Sequence, residues 1–151
     1  MKRLLIVFHS QSGASAELAR ALWQGAQEED SVDVIAQRAW DCGSIQLCTA
    51  DAVALVAAEN SGALAGGMKD FLDRCFYPAI EAQLVLPYAL VLSAGNDGRG
   101  AERQVQRILS GIPLREATPP LICRGAVSEQ HRQQCRELGQ ALAAGLEMGI
   151  F

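Results

Sequence analysis

Leu4-Leu5-Ile6-Val7-Phe8-His9-Ser10-Gln11-Ser12-Gly13-Ala14-Ser15 is the stretch that decides the fold. Residues 4–8 form a continuous apolar run, the pattern of a strand buried on both faces. Beyond Ser12, Leu18, Leu22 and Ala26 mark one face of a helix. Between strand and helix lies a loop with three hydroxyls, one glycine and no cation. A helix N-terminus offers unpaired N–H groups and roughly half a positive charge. Serine hydroxyls add donors and Gly13 lets the backbone approach, so a phosphate could be held there without lysine or arginine. On loop composition alone a second reading stands level with it: Ser10 or Ser12 caps the helix.

Outward from this unit the pattern alternates. Val32, Val34 and Ala36 alternate with Asp33 and Ile35, as an edge strand would, and residues 52–58 form another buried run. Met68, Phe71, Leu72 and Cys75 fall at i, i+3, i+4 and i+7, the stripe of an amphipathic helix. Residues 87–93 read as a strand, and Ala101, Val105, Ile108, Leu109 and Ile112 as a second helical stripe. Pro119-Pro120 leads into residues 121–123, a short strand that prolines confine to an edge. Ser128 then caps a helix whose Cys135, Leu138, Leu142 and Leu146 face the core, ending at Gly149. Residues 40–48 read either as a short helix or as a loop.

Alternating strands and helices require right-handed crossovers and a parallel sheet covered on both faces. The expected class is α/β, a three-layer sandwich over one domain, residues 1–151. With the second and fifth strands at the edges, the five-stranded order is 2-1-3-4-5. Ligands of such sheets sit beyond the carboxyl ends of the strands, at the switch between strands 1 and 3. The loops that matter begin at His9, Ala58 and Ser93.

Composition narrows the functional classes. The 151 residues carry a formal charge of −4, with basic residues scattered rather than striped, which argues against nucleic acid. No stretch approaches the ~20 apolar residues that span a bilayer, and the run at 4–8 is shorter than a signal h-region. A cytoplasmic protein without a membrane partner is expected. The five cysteines, Cys42, Cys48, Cys75, Cys123 and Cys135, show no CxxC and no histidine at ligand spacing, so no metal site is expected and each reads as a small buried hydrophobe. Lys69, Asp70, Asp73 and Arg74 read as helix-surface pairs, Trp40 as filler of a helix–sheet gap ahead of a residue approaching a ligand, and His9 as a structural residue at a strand end ahead of one near a bound phosphate.

Competing motifs fit poorly. A dinucleotide fingerprint needs GxGxxG, where only Gly13 stands; a Walker A loop needs GK[ST]; a nucleophile elbow needs GxSxG. The stretch Ile6–Ser15, continuing to Ala19 and Leu22, resembles instead the FMN-phosphate signature of the flavodoxins, with Ser15 where threonine is usual. Residues 58–74, running from Ala58-Glu59-Asn60-Ser61-Gly62 into Lys69-Asp70-Phe71-Leu72-Asp73-Arg74, are similar to the segment after strand 3 in NAD(P)H-dependent FMN and quinone reductases of the same superfamily. Glu59 and Asn60 stand where those proteins show P-x-Y. Residues 93–102 resemble the loop that holds the pyrimidine side of the flavin.

The resemblance implies a flavodoxin-like fold with FMN as cofactor. Ser10, Gln11, Ser12, Gly13, Ala14 and Ser15 would hold its phosphate. Glu59, Asn60, Ser61 and Gly62, with Ser93, Ala94, Gly95, Asn96, Gly98 and Gly100, would hold the ring. Hydride transfer to a flavin needs no side-chain acid or base, so no catalytic residue is assigned. The implied activity is a reductase taking hydride from NAD(P)H and passing electrons to a quinone, a flavin or another small-molecule or protein acceptor. A flavodoxin-type electron carrier is the alternative, and a fold used only for protein contact is a third. The resemblance leaves a homo-oligomer open.

Overall fold

A computed structural model of the chain describes residues 1–112 and 114–151. Its elements run β1 (Lys2–Phe8), α1 (Ala14–Ala26), β2 (Val32–Arg38), a 3₁₀ turn (Ala39–Asp41), α2 (Ser44–Cys48), β3 (Ala52–Asn60), β4 (Ala63–Leu64), α3 (Gly66–Glu81), β5 (Pro87–Ala94), α4 (Arg99–Gly111), β6 (Arg115–Glu116), β7 (Leu121–Arg124) and α5 (Glu129–Met148). The order across the sheet is β2-β1-β3-β5-β6, with β7 also paired to β5 and β4 paired to β3. Every pairing is parallel except β3–β4.

The expected order 2-1-3-4-5 is therefore found, with two differences of detail. The fifth position is shared by β6 and β7, which follow β5 at Pro87–Tyr88 and at Val91–Ala94. Pro119 and Pro120 fall in the gap between them, where a residue without an N–H cannot continue a ladder. The second difference is β4, a two-residue strand too short to leave a periodic signal.

Each central strand sends alternate side chains to opposite layers. Leu4, Ile6, Ala54, Val56, Ala89 and Val91 pack with Leu18 and Leu22 of α1 and with Leu142 and Leu146 of α5. Leu5, Val7, Val53, Leu55, Leu90 and Leu92 pack with Phe71 and Leu72 of α3 and Val105 and Leu109 of α4. Residues 40–48 resolve into the 3₁₀ turn and α2, which join the second layer through Ala39, Cys42 and Leu47. The side chain of Arg74 holds this segment: Nη1 donates to the Cys42 carbonyl and Nη2 to that of Ala39, both at 2.8 Å, while Nε meets Asp70. Lys69 pairs with Asp73 at 2.8 Å, as the i, i+4 spacing predicted.

Four of the five cysteines are buried and none is bonded to another; Cys48 is half-exposed, a departure from the expected burial. Burial lifts the Cys75 thiol to about 12, and raises Cys42 as well. At neutral pH, Ellman's reagent is expected to modify one thiol, Cys48, quickly and four only on unfolding. Below pH 9 Cys75 is protonated in both states and exerts no pH dependence. From about 9 upward the unfolded chain releases a proton that the native one keeps, so stability is expected to fall towards pH 12. Fast reaction of all five thiols in the native protein would contradict this packing.

Candidate functional site

The carboxyl ends of β1, β3 and β5 meet at one hollow of about 330 Å³, within the range of small-ligand clefts. Its wall takes Ser10, Gln11, Ser12, Ala14 and Ser15 from the first loop, Glu59 and Asn60 from the end of β3, and Ser93, Ala94 and Gly95 from the end of β5. Gly125 and Ala126, after β7, close the far side. Those two carry no motif in the sequence; their one signal is a glycine at the end of the fifth strand, which takes φ +75°. Among the described residues, no lysine or arginine lines the hollow.

The first loop is arranged as a cradle. Gly13 occupies the N-cap of α1 with φ 104°, and no side chain caps the helix. Ser10 Oγ instead accepts from the Gly13 amide at 3.1 Å, one residue short of the helix. The first-turn N–H groups have no intrahelical acceptor, and Ala14 and Ser15 of that turn line the hollow. Between the capping and cradle readings, this geometry removes the first for Ser10 and Ser12. The contrast within the molecule is direct: α5 is capped by Ser128, whose Oγ accepts from the His131 amide at 3.2 Å.

Ser15 is the decisive residue. It is 1% exposed and its hydroxyl has no partner among the described residues. A buried hydroxyl left without a partner costs about 1–3 kcal/mol, and sequences seldom keep one without use for it. This one sits in the first turn of α1, on the wall of the hollow. A tetrahedral oxyanion over the uncapped amides would supply the missing acceptor.

The second and third loops are less free than the sequence suggested. Ser61 and Gly62 have φ 52° and 77°, the two positive values of a type I′ turn, and join β3 to β4 as a tight hairpin. That hairpin is tied to α4: Glu59 Oε2 accepts from the Ala101 amide at 3.1 Å, and the Leu64 amide donates to Gln104 Oε1 at 2.8 Å. Gly100 lies against it so closely that a Cβ would stand 1.9 Å from the Gly62 carbonyl oxygen. Ser61, Gly62, Asn96, Gly98 and Gly100 thus lie off the wall of the hollow, and Gly13 lines a neighbouring hollow instead. The Glu59 carboxylate acts as the cap of α4, whose own N-cap, Gly98, has no side chain to do so. Asn60 turns the other way and donates to Gln11 Oε1 at 3.1 Å, linking the first loop to the second.

His9 stands at the strand end as expected, and Trp40 does not stand where expected. His9 is only 7% exposed and borders the hollow at the end of β1. Trp40 does not fill a helix–sheet gap: it is 61% exposed, with its ring edge-on to His9, centroids 5.5 Å apart and planes at 83°.

No protein-family profile and no curated protein sequence matches the chain. Solved structures do. An archaeal flavodoxin superposes with a TM-score of 0.81 at 20% identity, over 96% of this chain and 99% of that one. The WrbA-like flavodoxin of Agrobacterium tumefaciens gives 0.79 at 15% identity, over 98% and 99%. The chain has the flavodoxin-like fold. This flavodoxin-like architecture also matches the rubredoxin:oxygen oxidoreductase of Desulfovibrio gigas at a TM-score of 0.82 and 15% identity, where it spans 37% of that chain. Among the described residues of the flavodoxin-like chain, no helix is long and apolar enough to cross a membrane.

Proposed function

We propose that the chain binds FMN in this hollow and moves electrons through it, accepting hydride from NADH or NADPH. The observation that carries the proposal is the buried, unpartnered hydroxyl of Ser15 at the uncapped start of α1. An FMN phosphate fits that donor set: the first-turn amides of α1 and the hydroxyls of Ser10, Ser12 and Ser15 present donors, and no acidic side chain of the first loop opposes it. Ser93, Ala94 and Gly95 would then face the ring, with backbone groups exposed by the open side of Gly95. Bound FMN would supply the redox chemistry itself. The protein's share is to hold the phosphate, orient the ring over the ends of β3 and β5, and leave one ring face open. Glu59, Ser61, Gly62, Gly98 and Gly100 support the site by fixing the hairpin on α4 rather than by touching the ligand. Asn96 stays assigned to the ring loop. A cytoplasmic location and a quinone, flavin or protein acceptor belong to the same proposal.

End-to-end agreement with flavodoxins supports a second reading, an electron carrier without NAD(P)H activity. Both readings are tested by anaerobic titration of the FMN-loaded protein with NADPH and NADH. Prompt loss of the oxidised flavin band is expected. A band that persists under excess NAD(P)H but disappears with dithionite would favour the carrier. Failure to load FMN would overturn both.

A further inference from the structure

A second hollow, of about 450 Å³, adjoins the first loop. It shares His9, Ser10 and Gln11 with the first and adds Gly13, Arg38 and Trp40. The two thus meet along the loop that forms the cradle, at Ser10 and Gln11.

The wall of this hollow is unusual for a surface with nothing to bind. Trp40 directly follows Ala39, which is completely buried, so its backbone is anchored while its indole stands in solvent. Leaving a large apolar side chain exposed forgoes about 1.5–3 kcal/mol of burial. The indole also meets the buried His9 edge-on. Arg38, two residues earlier, projects into the same hollow. Its Nε is spent on Asp41 at 2.8 Å, and its two terminal nitrogens have no acceptor among the described residues. An exposed aromatic face, a guanidinium with unused donors and a shared phosphate cradle form one recognition set. Stacking of a base on an aromatic side chain contributes about 1–3 kcal/mol, and guanidinium donors match phosphate oxygens.

We propose that this hollow takes the adenylate group of a dinucleotide, with the adenine on Trp40, its phosphate towards Arg38, and the pyrophosphate crossing the loop at Ser10 and Gln11. This rests on the FMN reading in one respect, the use of the first loop for phosphate. The adenylate can come from two sources. It is either the second half of FAD, held in one piece across both hollows, or the adenosine end of the nicotinamide dinucleotide.

The test uses Trp23→Phe, which leaves Trp40 as the only tryptophan of the two in the chain. Titration with 5′-AMP alone is expected to quench Trp40 emission to saturation. By calorimetry, AMP affinity is expected to fall at least tenfold in Trp40→Ala and to be largely retained in Trp40→Phe. FAD binding at least tenfold tighter than FMN, with that ratio near one in Trp40→Ala, assigns the adenylate to the flavin. Equal FAD and FMN affinities, with NADPH binding the FMN-loaded protein and weakened by Trp40→Ala, assign it to the nicotinamide dinucleotide. Absence of any AMP response, or AMP binding unchanged in Trp40→Ala, overturns the proposal. The AMP arm needs no flavin. AMP binding without FMN binding would therefore sink the FMN reading alone, and FMN binding without an AMP response would sink this one alone.

Discussion

Gly139→Ala is expected to destabilise the protein by roughly 3 kcal/mol or more, although alanine is the better helix former. Gly139 on α5 lies against α1 so closely that a Cβ would stand 2.0 Å from the Leu22 carbonyl oxygen and 2.8 Å from the Ala26 nitrogen. The contact is reciprocal: a Cβ on Gly25 of α1 would stand 1.9 Å from the Arg136 carbonyl oxygen. Ordinary contacts between non-bonded heavy atoms lie near 3.5–4.0 Å, and both obstacles are backbone, which no rotamer change relieves. The helices would have to separate by more than an ångström, loosening Leu18, Leu22, Leu142 and Leu146, which fill the layer beneath them. Against that cost, the gain in helix propensity is only about 1 kcal/mol. Gly66→Ala supplies the comparison, since nothing lies within 4 Å of its Cβ position at the start of α3; it should shift stability by less than about 1 kcal/mol. Urea midpoints of the three proteins settle the matter, with an unchanged midpoint for Gly139→Ala counting against the close crossing.

Ser15→Ala is expected to move stability and binding in opposite directions. In the ligand-free protein the substitution deletes a buried hydroxyl that has no partner, so the apoprotein should gain about 1 kcal/mol, a rise in Tm of roughly 2–4 °C for a chain of this size. FMN affinity should fall by ~10-fold or more, the loss of one hydrogen bond to a charged group worth about 1.5–3 kcal/mol. Ser15→Thr should restore binding, because it returns the hydroxyl. Thermal melts with and without FMN, together with quenching of free FMN fluorescence, measure both quantities. A Ser15→Ala protein that is less stable yet binds FMN as tightly would mean the hydroxyl is structural and faces no phosphate.

Much of the fold was legible because its signals are local. The apolar run at 4–8 and the stripe Met68, Phe71, Leu72 and Cys75 report burial at each residue's own position, and the structure buries Leu4 to Val7 and all four stripe residues, whereas of the alternating set at 32–36 it buries only Val32, as an edge strand covered by fewer neighbours allows. The cradle was legible too: a strand, a hydroxyl-rich loop with Gly13 and a helix lie consecutively in the chain, and the loop lines the hollow. The ring loops were harder to read. Ser61-Gly62 and Gly98 to Gly100 look like ligand loops by composition, because glycine serves a tight turn or a close backbone contact as readily as it serves a ligand. Their use here depends on α4 docking against the β3–β4 hairpin, a contact between segments about 40 residues apart.

By itself, then, the sequence determined the α/β class, the strand order and the place of the hydroxyl-rich first loop at the carboxyl end of β1, since each follows from short-range periodicity and from the chirality of parallel crossovers. Only the tertiary structure decided which candidate residues face the hollow, that Ser10 leaves α1 uncapped while Ser15 keeps an unused hydroxyl, and that Trp40 stands outside the core beside His9. Those outcomes depend on distances between elements remote in the chain, and residue type at one position carries no record of what packing brings opposite it.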